Sequence, residues 1–101
     1  MSKRITIDHD PEATFMYMLR LPDSAEDIFN EDTTVSAAIE VPTEHGVNLF
    51  PATAEWEGCS RTRIRVNAGS LLGMISAKLV VKIVHEGNTF TTDAVNIRMV
   101  N

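Results

Sequence analysis

Apolar residues recur at every second position along most of this sequence. The alternation is clearest over residues 34–41, where one face collects Val35, Ala37, Ile39 and Val41. A period of two is the spacing of a β-strand that turns one face toward a core. No long stretch of the sequence shows the 3.6-residue apolar period of an amphipathic helix. The sequence therefore predicts an all-β protein.

About seven segments show this alternation, and short turn signals separate them. They span residues 4–8, 13–21, 34–41, 47–56, 61–67, 77–84 and 95–100. We expect Pro42 to end the third strand and Pro51 to make the fourth an edge strand or two short ones, because proline lacks the N–H that a sheet ladder needs. The Glu86-Gly87-Asn88 sequence predicts a hairpin loop that leads into residues 89–92. Such a series predicts an antiparallel β-sandwich, in which two sheets pack face to face.

Two connections between these segments carry expectations of their own. Residues 23–32 predict an acidic loop with a single helical turn begun by Asp23 or Ser24. Its carboxylates could gather around calcium, but the regular spacing of a dedicated calcium loop is absent, so a plain charged loop is favoured and cation binding stays open. In the connection 68–74, glycines flank Leu71 and Leu72, which we expect to tuck under the sandwich.

Length and charge limit the classes of protein that this chain can belong to. A chain of 101 residues fits one domain spanning 1–101, because two separate cores would each be too small to be stable. The net charge of −5 would repel a phosphate backbone, so we do not expect nucleic acid as a partner. The longest strongly apolar run, 79–84, is far shorter than the ~20 residues of a membrane-spanning helix, so we expect no membrane association.

The single cysteine and the N-terminal residues indicate the folding compartment. Cys59 has no second cysteine to pair with, which excludes an intrachain disulfide. Residues 1–8 contain neither an apolar core segment nor a small-residue cleavage site, so we expect no secretory signal. Both features favour folding in a reducing cytosol.

Several segments follow one another in an order that is similar to one known family. They are Ile5-Thr6-Ile7, the strands over residues 14–20, 34–39, 63–66 and 77–83, the Glu86-Gly87-Asn88 turn, and the closing strand over 95–100. This pattern resembles the immunoglobulin-like domains of tailed-bacteriophage virion proteins, especially the N-terminal domain of upper baseplate proteins. The antibody signature of paired cysteines around a tryptophan is absent, since Cys59 stands alone.

The resemblance implies a non-enzymatic, immunoglobulin-like subunit that docks onto other virion proteins, such as capsid, tail or fibre subunits. It implies a protein made in the host cytoplasm and present in several copies in the virion, as a homo-oligomer or within a larger assembly. Baseplate members continue into a second domain, whereas this sequence ends at Asn101 after its last predicted strand. We therefore expect a stand-alone module, with tail, baseplate, neck, fibre adaptor and head decoration all open as positions.

Met16, Met18 and Trp56 are candidates for a contact surface. The two methionines lie on the outward phase of the second predicted strand. They are either covered by a neighbouring loop or part of an interface, because methionine adapts to irregular partners. Trp56 suits either a core position or an interface anchor, since its ring buries a large area while the indole N–H needs an acceptor.

Arg61, Arg63 and Arg65 form the most conspicuous charge pattern in the sequence. At period two, they are predicted to lie along one face of the fifth strand. Either cross-strand carboxylates neutralise them, or they form a docking stripe for an acidic partner. Together with the methionines and Trp56, they complete the set of candidate interface residues.

The Asp8-His9-Asp10 motif could in principle orient a base or hold a metal ion. In an extended strand, however, the imidazole points to the face opposite the two carboxylates, so a solvated turn before Pro11 is favoured. His45 and His85 lack paired-ligand spacing, and Cys59 lacks a nearby base. We therefore predict no enzyme, metal or cofactor. The alternative function is a ligand- or carbohydrate-binding module, for which one Trp and one Tyr supply few stacking surfaces.

Overall fold

The computed structural model describes residues 5–71, 73–92 and 94–100, and it confirms the all-β prediction. The strands are β1 Ile5–His9, β2 Thr14–Arg20, β3 Thr34–Thr43, β4 Gly46–Trp56, β5 Arg63–Ser70, β6 Ser76–His85, β7 Asn88–Thr91 and β8 Val95–Met99. The predicted helical turn in the acidic loop is present as α1, Ala25–Ile28, with Ser24 at its N-cap. Among the described residues, no helix has the length and apolarity needed to cross a bilayer.

The strands form one mixed sheet in the order β1-β8-β6-β3-β4-β5-β2, with β7 also paired to β6. β1 pairs with β8 in parallel, while every other pairing in the described chain is antiparallel. The expectation of antiparallel pairing alone was therefore wrong for β1. Alternation along a strand is the same for both directions, so the sequence pattern does not reveal this difference.

The described residues form eight strands because the segment after the Glu86-Gly87 loop forms a strand of its own. β7 pairs with the end of β6 and β8 pairs with its beginning, so the two short strands run along β6 as one interrupted hairpin arm. Glu86 and Gly87 have φ angles of 50° and 80°. Two positive φ angles are characteristic of the type I′ turn that closes a two-residue hairpin loop.

β4 changes neighbours along its length. Residues up to Ala52 pair with β3, and residues from Thr53 onward pair with β5. Pro51 therefore lies where β4 has no neighbour on the β5 side, and it does not break the strand. Pro42 does not end β3 either, since it lies beyond Glu40, the last residue paired with β6. The expectation for Pro42 was therefore wrong, whereas the edge position expected for Pro51 is present, because the missing N–H matters only where a strand lies on that side.

β5 begins and ends later than the sequence pattern predicts. Arg61 lies in the bend before the strand, and the strand continues to Ser70 through residues expected to be a connection. The pairing register shifts between Phe15 and Met16, and Gly69 has a φ of 69° beside this shift. A glycine in the left-handed region lets a strand accommodate an extra residue as a bulge. Leu71 is buried as expected, whereas Leu72 lies outside the described residues.

One hydrophobic core takes side chains from both ends of the strand order. β2 and β5 contribute one wall, and β3, β6 and β8 contribute the other. The fully buried larger side chains are Phe15, Ile39, Ile64, Val66, Leu71, Leu79, Val81, Val95 and Ile97. Strands from the two ends can share a core only if the sheet curls back on itself, so the sheet is nearly closed. The inward phases predicted for these strands are confirmed.

Candidate docking surface

The outer face of β2 and β5 carries exposed methionines and arginines side by side. Cross-strand pairing places Met18 opposite Arg65 and Arg20 opposite Arg63, with Met16 further along β2. We call these five residues the Met/Arg face. Met16 is 61% exposed and Met18 is 38% exposed, so no loop among the described residues covers them. The inward side chains of β2, including Phe15, fill the core, which forces the alternate ones outward.

Arg20 and Arg63 form a pair of like charges directly across the two strands. Neither side chain has a hydrogen bond or an ion pair within residues 5–71, 73–92 and 94–100. Like charges in directly opposed positions are destabilising. This end of the Met/Arg face is therefore a local excess of positive charge on a chain whose net charge is −5.

Arg65 has a different environment from the other two arginines of the face. Its guanidinium lies 3.6 Å from a Glu55 carboxylate oxygen and donates a short hydrogen bond to Glu57. Both acids come from the end of β4 and the turn after it, next to β5. Two carboxylates therefore neutralise Arg65 within the chain. For this residue, the structure agrees with the alternative in which cross-strand carboxylates balance the arginines.

Arg61 does not lie on the Met/Arg face. Its Nε donates to the Asn30 carbonyl at 3.0 Å, and its guanidinium carbon lies 5.2 Å from the centre of the Trp56 ring. Its backbone N–H donates to a Glu26 carboxylate oxygen at 2.9 Å. The expected single row of three arginines is therefore wrong, because the chain bends before β5 and turns Arg61 toward the acidic loop.

Trp56 is half-buried and packs against the core. Its indole Nε1 donates to the Thr33 carbonyl at 2.9 Å, and its ring centre lies 6.0 Å from that of Phe29. Arg61 lies over the ring. The N–H and the ring are thus both engaged within the chain, as the core interpretation expects, and the ring is not an open platform for a sugar.

Thr33 connects the acidic loop to β6 and β4. It is the only buried polar side chain in the described part of the chain. Its hydroxyl lies 2.8 Å from His85 Nδ1 and accepts the Asn30 N–H at 3.0 Å, while its carbonyl accepts the indole of Trp56. His85 thus has a structural role at the end of β6.

The residues of the Asp8-His9-Asp10 motif contact separate partners. Asp8 accepts two hydrogen bonds from the Arg98 guanidinium, at 2.8 and 3.0 Å. His9 Nε2 lies 3.1 Å from the Ala13 carbonyl, and an Asp10 carboxylate oxygen accepts the Glu12 N–H at 3.0 Å. The three side chains do not converge. In the described ranges, no group of three His, Cys, Asp or Glu side chains is arranged to hold a metal ion, and Cys59 is exposed in a turn.

The Arg98 hydrogen bonds hold the pKa of Asp8 below its usual value. A lowered carboxyl pKa stabilises the fold above the unfolded-state value, and this contribution is lost as the pH falls through the folded-state pKa. We expect Arg98→Gln to raise the Asp8 pKa toward that of an unpaired aspartate, followed by NMR titration of the side-chain carboxyl. Arg63→Gln is the matched control and should leave the Asp8 titration unchanged. An unchanged Asp8 pKa in Arg98→Gln would contradict the pairing.

Arg20 is the residue of this surface that was not among the predicted contact residues. The alternation of β2 places it on the same face as Met16 and Met18, which was visible in the sequence. Its importance depends on lying opposite Arg63, however, and that pairing is a matter of register between two strands far apart in the chain. A single sequence carries no signal for that register.

No protein-family model, curated protein or solved structure matches the chain. What the Met/Arg face can do chemically follows from its side chains. Unpaired guanidinium groups bind carboxylates through charge-assisted hydrogen bonds, and methionines adapt to apolar groups of varied shape. Beside Met16, a recess of about 430 Å³ opens between β2, β5 and β4. These are the properties of a contact surface for another protein.

Proposed function

We propose that this chain is a non-enzymatic structural subunit of a tailed-bacteriophage virion, where it docks onto other virion proteins through an immunoglobulin-like β-sandwich. The position can be tail, baseplate, fibre adaptor or head decoration. The observation that carries the docking function is the Met/Arg face, where exposed methionines adjoin the unneutralised Arg20 and Arg63 pair. Interface cores are enriched in methionine and arginine relative to the rest of a protein surface.

The strand order supports the immunoglobulin-like part of the proposal. In immunoglobulin domains, the third, sixth and seventh strands share one sheet, and the second and fifth lie in the other. Here β3 and β6 are neighbours, the β7 and β8 arm lies beside β6, and β2 pairs with β5. β4 pairs with both β3 and β5, so it lies next to strands of both groups.

The assignment of a binding role rather than catalysis is supported by the state of the reactive side chains. Asp8 and His9 are used in separate local contacts, and His85 hydrogen-bonds Thr33. A general base must lie within hydrogen-bond reach of the group that it activates. Among the described residues, the exposed Cys59 makes no hydrogen bond to such a base. A contact surface, in contrast, requires only the exposed side chains.

A virion subunit of this kind is expected in several copies on a symmetric particle. Small domains in such assemblies gain binding strength from repetition, because each further contact is made at a high effective concentration. The proposal therefore includes a homo-oligomeric or multi-copy state and contacts with capsid, tail or fibre subunits. Its virion-specific part rests on the resemblance in strand pattern.

The proposal predicts that the purified chain co-sediments with capsids or tails of a phage that encodes it. Replacing Met16 and Met18 together by glutamate should weaken this association roughly tenfold or more, because buried interface side chains dominate binding. Thr89→Glu, on exposed β7, is the matched control and should bind as the wild type does.

A chain that stays monomeric and sediments with no particle component would overturn the virion proposal. A glycan-array signal without particle association would favour the carbohydrate-binding alternative instead. The Trp56 ring is engaged by Arg61 and Phe29, which speaks against that alternative.

A further inference from the structure

We propose that the Met/Arg face binds an acidic peptide segment of a partner protein, extended along the free edge of β2. A carboxylate of that segment would reach the guanidinium group of Arg20 and, across β2, that of Arg63, and apolar side chains beside it would contact Met16 and Met18. This inference rests on the proposed docking function and goes further by naming the chemistry of the partner.

The first argument is the charge of the Arg20 and Arg63 pair. The two side chains are cross-strand neighbours, and no described residue neutralises them. A carboxylate placed between two guanidinium groups accepts hydrogen bonds from both and removes their repulsion. The pair therefore gains more from an external carboxylate than a lone surface arginine would, because binding also relieves an unfavourable interaction within the chain.

The second argument is the contrast with Arg65 on the same strand. Arg65 is already bridged to Glu55 and Glu57, so an incoming carboxylate would have to compete with two internal ones. The free positive charge is thus confined to the Arg20 end of the face. This confinement predicts where the acidic group of the partner lies and which arginine contributes little.

The third argument is the backbone of β2. In the described structure, β2 pairs with β5 on one side and is the last strand of the sheet order. An edge strand presents unpaired N–H and C=O groups to which an extended peptide can add as a further strand. Side chains of the added strand would lie beside Met16, Met18 and Arg20, which share one face of β2 at the same spacing of two.

The fourth argument is the overall charge, which selects among anionic partners. A polyanion such as nucleic acid would meet the repulsion of a chain with a net charge of −5. A short peptide with one or a few carboxylates meets mainly the local field of Arg20 and Arg63. The apolar methionines also match a peptide that alternates acidic and apolar side chains better than they match a phosphate backbone.

Fluorescence anisotropy with a labelled eight-residue peptide that alternates glutamate and valine tests this inference. The control peptide alternates glutamine and valine. We expect the wild-type chain to bind the glutamate peptide at least about tenfold more tightly than the glutamine peptide, with an affinity that falls as salt rises. The Arg20→Gln/Arg63→Gln double variant should lose most of this preference.

Two single variants provide matched controls. Arg65→Gln should weaken binding less than the double variant does, because an incoming carboxylate has to compete with Glu55 and Glu57 for Arg65. Lys78→Gln removes the same charge from an exposed position on β6 and should also have little effect. The double variant should unfold at the same temperature as the wild type or a higher one, because the like-charge pair is gone.

Several outcomes would overturn the inference. One is equal affinity for the glutamate and glutamine peptides, and another is tighter binding of single-stranded DNA than of peptide. A third is that Lys78→Gln reduces the preference for the glutamate peptide as much as the double variant does. NMR amide shifts that leave β2 unaffected would overturn the edge arrangement. Peptide binding by a chain that associates with no particle would contradict the proposed virion function but not the peptide-binding inference. A double variant that still associates with particles as the wild type does would contradict the peptide-binding inference but not the proposed virion function.

Discussion

Replacing Ile64 by alanine is expected to lower the free energy of unfolding by about 2–5 kcal/mol. Ile64 is 0% exposed and lies on β5 between Leu19 of β2 and Trp56 of β4. Its side chain therefore points into the core from β5, which pairs with both β2 and β4. Its removal leaves a cavity that the surrounding strands cannot close. Urea unfolding followed by circular dichroism measures the change.

The matched control for this substitution is Ile75→Ala. Ile75 is 87% exposed in the loop before β6, so the same loss of side-chain atoms should change stability by no more than about 0.5 kcal/mol. Equal effects of the two substitutions would show that the core does not lie between β5 and the opposite wall of strands.

Thr33→Val is expected to lower the free energy of unfolding by about 1–3 kcal/mol. The substitution keeps the size of the side chain but removes the hydroxyl that joins His85 to the Asn30 N–H. Both groups would then lack that hydrogen bond in a partly buried place. Thermal unfolding followed by circular dichroism gives the change in stability.

Thr34→Val is the matched control for the hydrogen bonds of Thr33. Thr34 is the exposed first residue of β3, and valine favours strands at least as well as threonine. The free energy of unfolding of Thr34→Val should match that of the wild type or exceed it slightly. If Thr33→Val also behaved in this way, the acidic loop would not depend on the Thr33 hydroxyl.

Local pattern in the sequence was sufficient to predict which side chains enter the core. Phe15 and Leu19 on β2, and Ile64 and Val66 on β5, alternate with polar or flexible side chains and are buried as expected. This works because the direction of a side chain in a strand depends only on its own position along the chain. The helical turn in the acidic loop and the hairpin after β6 were also predicted, because each is formed by residues close together in the sequence.

Features that depend on neighbouring strands were predicted poorly. Pro42 was expected to end β3, but it lies within the strand at a place where one side is open. Arg61 was placed on β5 by its spacing alone, whereas the chain bends before the strand begins. The register that brings Arg20 opposite Arg63 involves residues more than forty positions apart. A single sequence contains the alternation of each strand but not its alignment with the next.

The path of β4 couples the stability of the two walls of the core. One half of this strand is hydrogen-bonded to β3 and the other half to β5. Sliding of one wall over the other would strain a continuous backbone rather than stretch a loose loop. Amide protons at the middle of β4, near Ala52, should therefore exchange with solvent only when the whole domain opens, whereas those in β7, a short strand whose four residues are all exposed, should exchange through local fraying.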